Sequence, residues 1–154
     1  MKYVIYSDGG ARGNPGPAAY GFLIRDENLQ TLAETGEYLG RLTNNQAEYE
    51  GVIHAFKWVW GHRNLFAIGT DIEVRLDSDL LVNQLKGAYK IKSPGLKKLS
   101  LIAKDLEKTI GIPIHYVHVP REKNKDADRL VNRALDFRNE ANRNMKYVNT
   151  GKDI

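Results

Sequence analysis

The chain's 154 residues, 42% of them hydrophobic and 27% charged, suit one soluble domain, expected as a monomer with a core of its own. The absence of cysteine excludes disulfides and thiolate metal sites and fits a reducing cytosol; no apolar run approaches the roughly 18 residues of a membrane span, and no signal-peptide pattern precedes the first strand-like run. A net charge of +4 is unremarkable as a total, but Lys86, Lys90, Lys92, Lys97 and Lys98 bunch together, and Arg121, Lys123, Lys125 and Arg129 form a second group, as a polyanion partner would require.

Residues 2–7 read as a buried strand, and the Gly- and Pro-rich segment from Gly9 to Pro17 as a turn. Residues 18–26 and 30–39 read as two further strands with Asp26-Glu27-Asn28 at the hairpin tip, giving an antiparallel meander. Tyr49, Val52, Ile53, Phe56, Val59 and Trp60 recur at helical spacing, so a long helix follows, ending between Gly61 and Asn64. Ile72, Val74 and Leu76 alternate as in a strand, and Ser78 is placed to cap a short helix carrying Leu80, Leu81, Val82 and Leu85. Leu96, Leu99, Ile102, Ala103, Leu106 and Ile110 mark another amphipathic helix with Gly111 as its C-terminal cap. Residues 112–119 read as the last strand and 125–138 as the last helix; from residue 139 the pattern fades into a loose tail or a surface strap. The order βββαβααβα predicts an α/β domain with a five-stranded mixed sheet, three antiparallel strands then two parallel ones, flanked by helices.

Two carboxylates fall at the carboxyl ends of strands expected to run parallel, Asp8 and Asp77, which is where such sheets hold ligands. Glu48 opens the long helix, and Asp126 and Asp128 open the last one. Each has an ordinary structural explanation. Asp8 suits the first position of a turn; Asn45 and Glu48 suit a capping box; Asp126 and Asp128 flank the buried stripe equally, so helical geometry does not choose between them. Together, however, acids gathered at one edge repel, and a fold that gathers them usually does so for divalent cations. The four histidines, His54, His62, His115 and His118, show no zinc-ligand spacing.

In order along the chain come Asp8-Gly9-Gly10 with Gly13-Asn14-Pro15-Gly16-Pro17, then Thr43-Asn44-Asn45-Gln46-Ala47-Glu48, Leu76-Asp77-Ser78-Asp79, and Asn124-Lys125-Asp126-Ala127-Asp128-Arg129-Leu130. This succession resembles the four motifs of type 1 ribonuclease H, over residues 2 to about 137. The resemblance implies a ribonuclease H-like fold. It also implies a catalytic and metal-binding set of Asp8, Glu48, Asp77 and Asp128, and it is what favours Asp128 over Asp126. Two divalent ions, Mg2+ or Mn2+, would act with the substrate, an RNA/DNA hybrid, whose RNA strand would be cut to 5′-phosphate and 3′-hydroxyl ends. Asn14, Asn44 and Asn45 match positions that contact the hybrid, and Arg41 and Thr43 match positions that grip a DNA phosphate. Two departures stand out. The loop Val119-Pro120-Arg121-Glu122-Lys123-Asn124 lacks the family's catalytic histidine, and only Leu85–Lys92 stands where larger relatives carry a basic protrusion, making this a short form. The rival expectations are a hybrid- or double-stranded-RNA-binding module that does not cut, and a nuclease for double-stranded RNA.

Overall fold

Among residues 1–138, which the computed structural model describes, the elements are β1 (Lys2–Ala11), β2 (Gly16–Arg25), β3 (Thr31–Leu42), α1 (Asn44–Gly61), β4 (Asp71–Leu76), α2 (Asp79–Lys86), α3 (Pro94–Ile110), β5 (Ile114–His118) and α4 (Lys125–Asp136). Short 3-10 turns at Arg63–Leu65 and Arg121–Lys123 lead into β4 and α4. The tail expected beyond residue 138 lies outside the described residues. The sheet order is β3-β2-β1-β4-β5, with β1 antiparallel to β2, β2 antiparallel to β3, and β1, β4 and β5 parallel, as the element order implies.

The first hairpin differs from expectation. Gly9 and Gly10 are not turn residues; β1 runs on to Ala11, with Gly9 paired to Tyr20 and Ala11 to Ala18, and only residues 12–15 turn. Gly9 is there for clearance. A β-carbon at Gly9 would lie 2.2 Å from the Ala47 carbonyl carbon, so the first turn of α1 sits directly on the strand backbone. The second hairpin is also shifted: β2 ends at Arg25, β3 extends to Leu42, and Asp26 closes the tip by accepting the backbone N–H groups of Asn28 and Gln30. β5 is shorter than expected, Ile114–His118 rather than residues 112–119; at its start, Gly111 ends α3 in the left-handed conformation (φ 72°) and Pro113 stands two residues on.

Strand alternation sends side chains to two faces. Ile5, Tyr20, Phe22, Ile72, Val74 and Leu76 pack against Val52, Ile53, Phe56 and Val59 of α1, and α3 adds Ala103 to that larger core. Each such fully buried aliphatic or aromatic side chain contributes about 1.5–3 kcal/mol, which fixes α1 on the sheet despite its polar first turn. The opposite face is covered by α4: Ala127 and Leu130 meet Leu23, and Val131 and Leu135 meet Ala19.

Candidate active site

Asp8 and Asp77 stand side by side by sheet register. Tyr6 pairs with Arg75 across β1 and β4, and continuing that parallel register sets Asp8 opposite Asp77, just beyond the point where the pairing of the two strands ends. The other two acids arrive from helix starts on opposite faces of the sheet, Glu48 from α1 and Asp128 from α4. All four line one open cavity of about 330 Å³, with Gly9, Gly10, Asn44, Arg121 and the Val131 and Leu135 flank of α4. The sequence could not separate Asp126 from Asp128, but the structure does. Asp126 turns away from the cavity to Arg25 on β2, 2.9 Å from its Nη2, with Arg129 at 3.6 Å.

Glu48 has no capping duty. The helix start is closed two residues earlier than the sequence suggested: Thr43 is the N-cap, its Oγ1 accepts from the Gln46 N–H at 3.2 Å, and the Gln46 Oε1 accepts from the Thr43 N–H at 2.9 Å. Asn45 is exposed instead. A carboxylate with no part in the cap still sits half-buried at the cavity, and its side-chain partner is Ser78.

The electrostatics follow from crowding. Burial first, then the neighbouring Asp77, Asp128 and Glu48 charges, push the Asp8 carboxyl up to about 8, although the Gly9 N–H, 2.9 Å away, opposes this. Burial pushes Glu48 up to about 7 with Asp77 adding to it, against the Ser78 hydrogen bond and the Arg121 charge. Asp77 is also raised, chiefly by burial, while Asn124 and Arg121 favour its ionised form. Among the described residues none of the four acids is in an ion pair, and no three acids or histidines stand preassembled at metal-ligand spacing. The acids share one cavity, where their like charges repel. Hard carboxylate oxygens with unrelieved mutual repulsion suit Mg2+ or Mn2+.

Asn124 is the residue that sequence reasoning missed. At 1% exposure it is buried, and its Nδ2 donates to the Ser7 carbonyl at 2.9 Å while the amide also hydrogen-bonds Asp77. An Asn at a helix start reads as a cap, yet this side chain makes no cap bond to α4. It ties the strand carrying Asp8, the end of the strand carrying Asp77 and the start of the helix carrying Asp128. Arg12 was missed too. From the first hairpin it reaches α4, pairing with Asp136 at 2.7 Å and donating to Asn132 Oδ1 at 3.3 Å, which closes one wall of the cavity.

Of the expected substrate-contact residues, Asn14 and Asn44 are brought together. The Asn44 N–H donates to Asn14 Oδ1 at 3.1 Å, and Asn44 Oδ1 accepts the Ala11 N–H at 2.7 Å. Thr43 is adjacent and occupied in the cap, while Arg41 on β3 and Asn45 on α1 are exposed. The histidines stand elsewhere: His54 stacks on Tyr20, His62 on Trp58, and His115 and His118 are exposed on β5.

Comparison with known proteins bears on the family and the fold. The family model described as "Reverse transcriptase-like" matches residues 6–134. The bifunctional protein Rv2228c of Mycobacterium tuberculosis is 44% identical over 88% of this chain, which spans 36% of that protein's length. Ribonuclease HI of Halobacterium salinarum is 42% identical over 85% of the chain, which spans 63% of its length. Among solved structures, LC11-RNase H1, isolated from compost by a metagenomic approach, superposes with a TM-score of 0.84 at 45% identity, covering 88% of this chain and 96% of that one. LC11-RNase H1 has also been solved in complex with an RNA/DNA hybrid, and that structure superposes with a TM-score of 0.82 at 44% identity, covering 87% of this chain and 96% of that one. With the same sheet order, and an acid on each of the four segments that meet at its strand ends, this chain belongs to the type 1 ribonuclease H family.

Proposed function

We propose that residues 1–138 form a metal-dependent endoribonuclease that hydrolyses the RNA strand of RNA/DNA hybrids to 5′-phosphate and 3′-hydroxyl ends. The observation that carries this reading is the lining of one cavity by Asp8, Glu48, Asp77 and Asp128, acids that nothing in the fold requires there. The hybrid bound to the related LC11 enzyme supports the substrate class. The four carboxylates would hold two Mg2+ or Mn2+ ions, which supply an activated water and charge stabilisation at the leaving oxygen.

The chain's own residues do the rest. Asn124 and Ser78 orient Asp77 and Glu48. Arg121, in the loop without a histidine, faces both acids and offers a guanidinium to the scissile phosphate or to the product. Asn14, Asn44 and Asn45 read 2′-hydroxyls across the shallow minor groove, and Thr43 and Arg41 meet a DNA phosphate on the same edge.

End-labelled RNA/DNA, RNA/RNA and DNA/DNA duplexes, each incubated with Mg2+ and with EDTA, test the reading. RNA should be cut only in the hybrid and only with the ion. Asp8→Asn should reduce the rate by about a thousandfold or more while leaving hybrid binding intact. Cutting at wild-type rate by Asp8→Asn, or in EDTA, would refute the proposal.

A further inference from the structure

The chain's positive charge is not spread over its surface. Residues 86–108 hold seven lysines and two acids, a net of +5, while the whole chain carries only +4. The remaining residues therefore sum to −1, so this one segment accounts for the basic character of the protein. All seven lysines are exposed, and among the described residues none forms an ion pair.

The segment is ordered by α3. Ser100 and Ala103 are buried, and Leu96, Leu99, Ile102, Leu106 and Ile110 pack against the core, which fixes the helix rotation. The opposite face then presents Lys97, Leu101, Lys104 and Lys108, spaced by four, three and four residues on one side of the helix, with Leu101 62% exposed in their midst. At about 1.5 Å per residue these lysines form a track about 16 Å long.

The track starts beside the first turn of α1. Gly95, in the first turn of α3, faces Gln46 of the α1 capping box, whose Nε2 lies 3.7 Å from where a β-carbon would stand. Ser100, five residues further along α3, faces Tyr49, three residues further along α1, so α3 runs alongside α1 away from the Thr43 to Asn45 segment. The lysine row therefore begins beside the start of α1, the helix that brings Asn44 and Glu48 to the cavity.

We propose that the outer face of α3 is a second nucleic-acid contact. Lys97, Lys104 and Lys108 would engage backbone phosphates of the duplex flanking the cut, so that long hybrids bind more tightly than short ones. The proposal rests on the hybrid-cleaving reading, deepening it with a length preference, and it concerns residues outside the acid cavity.

The test is the combined substitution Lys97→Ala, Lys104→Ala and Lys108→Ala. Binding of labelled hybrids of roughly 10 and roughly 30 base pairs is followed by anisotropy in EDTA, and KM and kcat in Mg2+, across a range of KCl. For the long hybrid the variant should bind about tenfold more weakly at low salt, and the slope of log Kd against log salt should fall by about 2–3. Its binding to the short hybrid and its kcat on both should match wild type. Equal weakening for both lengths would show a loss of overall charge rather than of a contact and would overturn the proposal. So would an unchanged salt slope, or a variant that loses only its binding to phosphatidylserine vesicles. Absence of cleavage by the wild type would refute the enzymatic reading, while the anisotropy arm would still decide the contact.

Discussion

Above the ordinary carboxylate range Asp8 is ionised in the unfolded chain but resists ionisation in the cavity, where burial and Asp77 hold its pKa near 8. A raised folded-state pKa contributes stability that is complete below about pH 4 and is lost as pH rises through about 8. The ion-free protein should therefore lose melting temperature between those limits, and Mg2+ should restore it at pH 8. Asp8→Asn should raise the ion-free melting temperature at pH 8 by about 2–6 °C and remove most of the Mg2+ response. Calorimetry in EDTA and in Mg2+ across that range checks both signs. Asn124 acts at the same scale. Asn124→Ala frees the Ser7 carbonyl and releases Asp77, so titration calorimetry should show Mn2+ binding weakened by about 10–100-fold. An equally destabilising core substitution such as Ile53→Ala should leave the ion affinity unchanged.

At the scale of elements, the start of α1 shows what local pattern can and cannot settle. Thr43 with Gln46 and Asn45 with Glu48 both satisfy the capping signature, and nothing within six residues ranks them. The first pair wins because β3 continues to Leu42 and delivers Thr43 in an extended conformation at the helix mouth. Thr43→Ala should cost about 1 kcal/mol, or roughly 2–4 °C in melting temperature. Gly9 was misread for a related reason. A Gly pair after Asp looks like a turn, and the helix pressed against it comes from nearly forty residues later in the chain. Gly9→Val should disturb the α1 contact and so lower both stability and activity, whereas a side chain at Gly61, with open space around it, should do neither. The strands and helices whose alternation or periodicity is locally complete, β4 and α3 among them, were legible without the fold.

At the scale of the molecule, the meeting of Asp8 with Asp77 was legible only on the condition that their strands are parallel neighbours, which the sheet order β3-β2-β1-β4-β5 supplies. The choice of Asp128 was not legible from helical geometry, because its decisive evidence is the engagement of Asp126 by Arg25, 101 residues earlier in the chain. Arg12 and Asn132, which join the first hairpin to the last helix, carry no local signal at all. If residues 1–138 are self-sufficient, a chain ended at Arg138 should melt within about 2 °C of the full protein and cut a short hybrid at a comparable rate; calorimetry and a gel assay read both. The capping arrangement at α1 has one more outcome. Because Thr43 and Gln46 secure that helix unaided, Glu48 can be replaced by glutamine without fraying the scaffold, which would make the inert protein a ready reagent for capturing and locating its duplex in a mixture.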